Sequence, residues 1–191
     1  MKYFLKQILK KSKKSKARIF FPEVEDPRIL EALQYLIKKK ICKPVIPFSA
    51  EKFKNFALKR KFKFPWKKII YLDSSNKELL EKFAIQLQKI RKKDKLDLQQ
   101  AITLTHDRHY FACLALLSNY ADSVVTGSIA TTAASIFPAL KLLRNNTKLR
   151  EVSSTFIMIF PETALFFADC SININPTSQE LADIGINTAK L

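Results

Sequence analysis

Between the run Asp122-Ser123-Val124-Val125-Thr126 and an apolar stretch of helical character from Ala133 lies the hexapeptide Gly127-Ser128-Ile129-Ala130-Thr131-Thr132. Its residue types suit the binding of an anion. Gly127, one of only 2 glycines in the chain, permits close approach of a ligand to the backbone. Ser128, Thr131 and Thr132 supply hydroxyl donors without competing negative charge. Unpaired amides and the positive dipole end at a helix start add to that attraction, so these residues could cradle phosphate or an acyl phosphate. A purely structural role stays open as well: Gly127 turns the chain and Thr132 caps the helix, because the segment has neither the P-loop nor the GxGxxG pattern. No nucleophile, general acid or general base is assigned by spacing, and the catalytic residues are unknown at this level.

Other reactive side chains are scattered. Cys42, Cys113 and Cys170 are odd in number, far apart and without a CxxC pair, which suits buried thiols in a reducing, cytoplasmic setting. His106 and His109 can share one helical face and read as structural, so no metal site is expected.

A cradle of this kind needs a scaffold, and the preceding chain reads as one. Arg18-Ile19-Phe20-Phe21 is a short strand stopped by Pro22, followed by the acidic turn Glu23-Val24-Glu25-Asp26 and by Pro27 at a first helical position. Ile29, Leu30, Leu33, Leu36 and Ile37 then repeat at helical spacing. Further strands are expected at 44–47, 69–72 and 122–126, and helices at 50–60, 76–93, 98–104, 110–119 and 133–143. Strands alternating with amphipathic helices predict an α/β fold: a mostly parallel sheet flanked by helices, a three-layer sandwich, over residues 1–137.

Past Arg144 the pattern changes. Strand-like runs at 153–160 and 164–167 flank Pro161-Glu162-Thr163, which predicts an antiparallel hairpin. Thr177 and Glu180 form a capping-box pair ahead of a helix over 181–189. Residues 138–191 therefore read as the beginning of a second α/β lobe, with the boundary near 138–148. Lys190-Leu191 carries no helix stop, so that lobe reads as interrupted.

Composition narrows the function classes. With 47% hydrophobic and 11% aromatic residues the chain can bury a core. The net charge is +17, from 34 Lys+Arg against 17 Asp+Glu, and much of the excess lies in residues 2–18 and 52–68. Without an arginine-rich or aromatic-interleaved groove, that charge reads as a solvated lysine surface rather than a nucleic-acid interface. No apolar run reaches about 18 residues, so no transmembrane helix is expected. Phe4, Leu5, Ile8 and Leu9 form a stripe opposite lysines, which predicts a helix capping a cytoplasmic domain.

Several segments, in order along the chain, resemble the phosphate acetyltransferase and butyryltransferase family. Residues 18–28 are similar to its opening "R-I-x-x-P-E-G-E-D-x-R", and Lys43-Pro44-Val45-Ile46 to its second strand. Arg91-Lys92-Lys93-Asp94-Lys95 resembles its "R-K-x-K-G" turn, and residues 120–128 its "A-D-G-x-V-x-G-A". The strongest match is Phe166-Phe167-Ala168-Asp169-Cys170 through Asn175-Pro176-Thr177 and Glu180-Leu181-Ala182, against "F-A-D-C-A-x-N-x-N-P-T-x-x-x-L-A".

The resemblance implies reversible acetyl transfer between coenzyme A and inorganic phosphate, with CoA as a substrate and no resident cofactor. It implies Arg91 as a phosphate-binding residue beside Gly127, Ser128, Thr131 and Thr132. Departures are equally specific: where the family reads "G-A-x-H-T-T-A-D-x-x-R-P-A-L", its histidine, aspartate and arginine positions are Ala130, Ala134 and Phe137. The family motif with the catalytic aspartate, a serine and a further arginine is expected beyond Leu191. Little catalysis is therefore expected of this chain alone, and completion by self-association or by a complementary chain is expected. A degenerate phosphate- or CoA-binding relative is the alternative.

Overall fold

The computed structural model describes residues 2–143 and 152–191. An amphipathic helix, α1 (Lys2–Ser15), precedes strand β1 (Arg18–Phe20), helix α2 (Pro27–Lys38), β2 (Lys43–Ile46), α3 (Ala50–Lys59), β3 (Ile70–Tyr71) and α4 (Lys77–Ile90). Helices α5 (Leu98–Thr105) and α6 (Arg108–Leu117) follow, then β4 (Ser123–Val124) and α7 (Thr132–Leu142). The helices start at side-chain caps placed in the sequence. Asp26, Ser49, Asn76, Asp97 and Asp107 accept from first-turn amides of α2 to α6 respectively, each satisfying a donor that the helix itself leaves open.

The four strands form one parallel sheet in the order β3-β2-β1-β4. Successive residues of a strand face opposite sides, and the core divides accordingly. Phe20 and Val45 join Leu80, Phe83, Leu87, Phe111, Leu114 and Leu142 on one face. Phe21 and Ile46 join Leu30, Leu33, Phe53 and Ala57 on the other. Helices α2 and α3 thus cover one side and α4 to α7 the other, which gives the three layers that alternation of strands and helices predicts.

Strand β4 has only two residues, shorter than the expected 122–126 run, but backbone bonds from Asp122 to Arg18 (2.8 Å) and from Val125 to Phe20 (3.0 Å) extend its pairing with β1. The start of that pairing is clamped by a charge. Arg18 donates to Asp122 through Nε (3.1 Å), Nη2 (2.6 Å) and its backbone N–H (2.7 Å), and to the Asn119 carbonyl at 2.6 Å. Those hydrogen bonds bring the Asp122 carboxyl down to about 2.

The chain divides into two compact units, Ser12–Leu143 and Met1–Lys11 with Arg144–Leu191. The first unit extends past residue 137 because α7 is continuous across that position and Leu142, near its end, is fully buried in the first core. In the second unit β5 (Thr155–Ile159) and β6 (Ala164–Ala168) form an antiparallel hairpin, and α8 (Ser178–Ala189) begins at the Thr177–Glu180 capping box. Among the described residues no helix is long and apolar enough to cross a membrane.

Candidate functional site

Strand β1 has β2 on one side and β4 on the other, so the connections leaving β1 and β4 diverge. In a parallel sheet that divergence opens a crevice beyond the carboxyl ends of the two strands. Two loops face each other there: 21–26 after β1 and 125–131 after β4.

What joins them is a buried carboxylate. Glu23, 1% exposed, accepts from the Ser128 N–H at 2.8 Å and hydroxyl at 3.0 Å, from the Ala130 N–H at 2.9 Å and from the Ile129 N–H at 3.4 Å. Burial alone raises a carboxyl's pKa, but the donors of Ala130, Ser128 and Ile129 outweigh it and bring Glu23 from 4.5 to about 2. Glu23 is therefore an anion at neutral pH, lodged in the nest of amides that the sequence suggested for phosphate.

The rest of the crevice reinforces this lock. Arg28 forms a forked pair with Asp26, with Nε at 3.0 Å from both oxygens, and donates through Nη2 to the Ser128 carbonyl at 2.6 Å. Its guanidinium holds the Asp26 carboxyl below the usual carboxylate range. Buried His109 pairs through Nε2 with the Thr126 hydroxyl at 2.9 Å and lies 3.9 Å from Glu23 Oε1. Arg108 reaches Glu25 at 3.4 Å.

The five residues singled out in the sequence fall in three places. Gly127 has φ +92°, and a Cβ there would meet nothing within 4 Å. Its role is conformational, the left-handed turn, rather than close approach. Ser128 is turned inward onto Glu23. Thr131, not Thr132, is the cap of α7: its hydroxyl accepts from the Ala134 N–H at 3.3 Å, leaving Thr132 exposed on the first turn. Arg91 stands at the end of α4, where its hydrogen bond runs to Asp94. The guanidinium that bonds to the 125–131 loop is that of Arg28, 73% exposed. The sequence carried one signal for it, the acidic-basic turn Glu23 to Arg28, but its partner lies 100 residues away.

The second unit contains a parallel arrangement. Asp169 accepts from Ser154 N–H (2.7 Å), Ile172 N–H (3.0 Å) and Asn173 N–H (2.5 Å), and also from the hydroxyl of Ser154. Although burial opposes it, this crowd of donors holds the carboxyl well below the usual range. Asp169 organises the loop after β6. Among the described residues no group of three histidine, cysteine or carboxylate side chains could hold a metal ion.

The fold is that of an α/β protein whose parallel sheet has its switch point between β1 and β4. A family model described as "Phosphate acetyl/butaryl transferase" matches residues 3–191, and the chain belongs to that family. It is 32% identical to the phosphate acetyltransferase of Thermoanaerobacterium thermosaccharolyticum, over 97% of this chain and 58% of that protein. With the Bacillus subtilis phosphate acetyltransferase the identity is 34%, over 91% and 54%. A crystal structure of a phosphotransacetylase from Streptococcus pyogenes superposes with a TM-score of 0.82 at 28% identity, covering all of this chain and 57% of that one. The chain spans about half the length of these relatives.

Proposed function

We propose that this chain forms the amino-terminal part of a cytoplasmic phosphate acetyltransferase, in which acetyl-CoA and inorganic phosphate exchange to give acetyl phosphate and CoA. The observation that carries the reading is the crevice between β1 and β4. Glu23 fixes the 127–131 loop, that loop leads into the first turn of α7 with Thr132 exposed on it, and the Arg28 guanidinium bonds to the same loop at the Ser128 carbonyl. An anion on that surface would meet a helix amino terminus, a hydroxyl and an arginine, which suits phosphoryl binding. CoA enters as a substrate.

The chain holds the binding surface without the chemistry. A thiolate nucleophile needs a base, and the retained loop carries Ala130, Ala134 and Phe137 where the resembling family motif has ionisable groups. General acid–base help is worth about 10² to 10⁴ and each electrostatic donor on the order of 10² to 10³, so their joint loss leaves residues 1–191 alone without turnover. The second unit bears on how the site is completed. Phe156, Met158, Leu165 and Phe167 lie on one face of the β5–β6 hairpin and are all exposed, and a two-stranded ribbon needs a cover. We assign that cover to the remainder of the family's domain.

The test is acetyl phosphate formation by the purified chain, alone and mixed with a polypeptide matching the carboxyl-terminal remainder of the Bacillus subtilis relative. No turnover alone, with turnover on mixing, is expected. Phosphate-dependent turnover by the chain alone that survives size exclusion and is lost on Thr132→Val would sink the division of labour. A second reading, a non-catalytic binding protein, is favoured by the self-filled amide nest around Glu23. It predicts CoA or phosphate binding with no turnover in any mixture.

A further inference from the structure

The opposite end of the sheet has its own cavity, and nothing in the proposed acetyl transfer uses it. About 590 Å³ in volume, it opens below the amino-terminal ends of β1, β2 and β3. Buried Ile37 and Ile69 with half-buried Cys42 and Ile70 form its apolar floor. Burial pushes the Cys42 thiol above its ordinary pKa, so it adds no negative charge.

The rim is made of lysine. Lys13 and Lys16 come from the end of α1, Lys39 and Lys40 from the end of α2, Lys43 from the start of β2, and Lys67 and Lys68 from the turn before β3. All are exposed, no carboxylate lines the cavity, and none of these lysines makes an ion pair among the described residues. Lysines near helix carboxyl ends offset the dipole, but two helices present only about −0.5 charge each. That leaves most of the positive charge on the seven lysines uncompensated. The two lysine-rich stretches of the sequence, 2–18 and 52–68, each contribute to this one rim.

We propose that this cavity is a binding site for a small oligophosphate that carries an apolar body, of the nucleoside triphosphate type. Its volume lies within the range of small-molecule sites, about 300 to 1,000 Å³. A half-open bowl with an aliphatic floor suits a compact amphiphilic anion better than a polymer tracked along a groove. Lysine ammoniums act as point-charge phosphate ligands, and several acting together require several phosphoryl groups.

Calorimetric titration of the purified chain with ATP, inorganic tripolyphosphate and orthophosphate, without added metal, tests the assignment. ATP is expected to bind more tightly than tripolyphosphate, and tripolyphosphate more tightly than orthophosphate. The combined variant Lys39→Gln, Lys40→Gln and Lys68→Gln should weaken ATP about 10²-fold or more, roughly tenfold per charge-assisted contact. The corresponding triple arginine variant should retain it. The glutamine variant should also unfold at a temperature equal to or above that of the parent, because mutual repulsion at the rim is relieved. Three results would overturn the proposal: ATP affinity unchanged in the glutamine variant, tripolyphosphate binding as tightly as ATP, or an oligonucleotide outcompeting both.

Discussion

Replacing Glu23 by glutamine exchanges one carboxylate oxygen for an NH2 group and should destabilise the larger unit by about 3 kcal/mol at neutral pH. The carboxylate accepts hydrogen bonds from Ser128, Ala130 and Ile129 through both of its oxygens. A glutamine side chain keeps one acceptor and turns an NH2 toward amides that can only donate. The size follows from linkage. A carboxyl whose pKa falls from 4.5 to about 2 on folding contributes about 3 kcal/mol when both states are ionised. Because the folded value is the depressed one, that contribution is complete above about pH 5 and disappears as the pH falls toward 2. At pH 3 it should be on the order of 1.5 kcal/mol. Denaturant unfolding of the parent and Glu23→Gln at pH 7, 5, 4 and 3 measures the gap directly. Asp122 and Asp169 also titrate low, but they are common to both proteins and cancel in the difference. In thermal unfolding the gap corresponds to about 6 to 12 °C for a domain of this size. A gap of the same size at pH 3 as at pH 7 would show that Glu23 is held by packing rather than as an anion in a nest of amides. A glutamine variant as stable as the parent would refute the lock altogether.

Gly127→Ala should cost about 1 to 2 kcal/mol, from the φ of +92° alone. Because a Cβ there has open space, Gly127→Asn, better tolerated in the left-handed region, should recover part of the loss in the same denaturant titration. Thr131→Ala should lose about 1 kcal/mol as the α7 cap is removed, while Thr132→Ala stays within about 0.5 kcal/mol; equal losses at both positions would contradict the cap assignment. Asp169→Asn should loosen the loop over 169–173, seen as faster amide exchange at Ile172 and Asn173 with little change at β1 and β2. Unchanged protection at those two amides would count against Asp169 as the hub.

Much of this fold was legible because its signals are local. Apolar residues at 29, 30, 33, 36 and 37 can only share a face on a helix, and Asp26 and Pro27 mark where it starts. The hairpin and the Thr177–Glu180 capping box are likewise contained in a few residues, and the structure has both.

The position of the 127–132 loop at the carboxyl end of β4 was legible, but its contacts were not. Gly127 to Thr132 does lie at the crevice, yet its amides are turned onto Glu23, 105 to 107 residues away in the chain. Nothing in the local sequence distinguishes amides that will receive a ligand from amides that will receive the protein's own carboxylate. The motif resemblance held more of the answer than the spacing did. Arg18 and Asp122, drawn from two separate motifs, form one ion pair, and Glu23 and Ser128, drawn from the same two motifs, form one hydrogen-bonded nest. Residues by which a chain resembles its family therefore need not touch substrate. Here buried Glu23 and half-buried Asp169 pay a desolvation cost that the backbone and hydroxyl donors around them offset. Glu23, so satisfied, is a poor base, because a pKa near 2 leaves it little tendency to take a proton at neutral pH. The effect of both carboxylates runs through the loops they hold in shape.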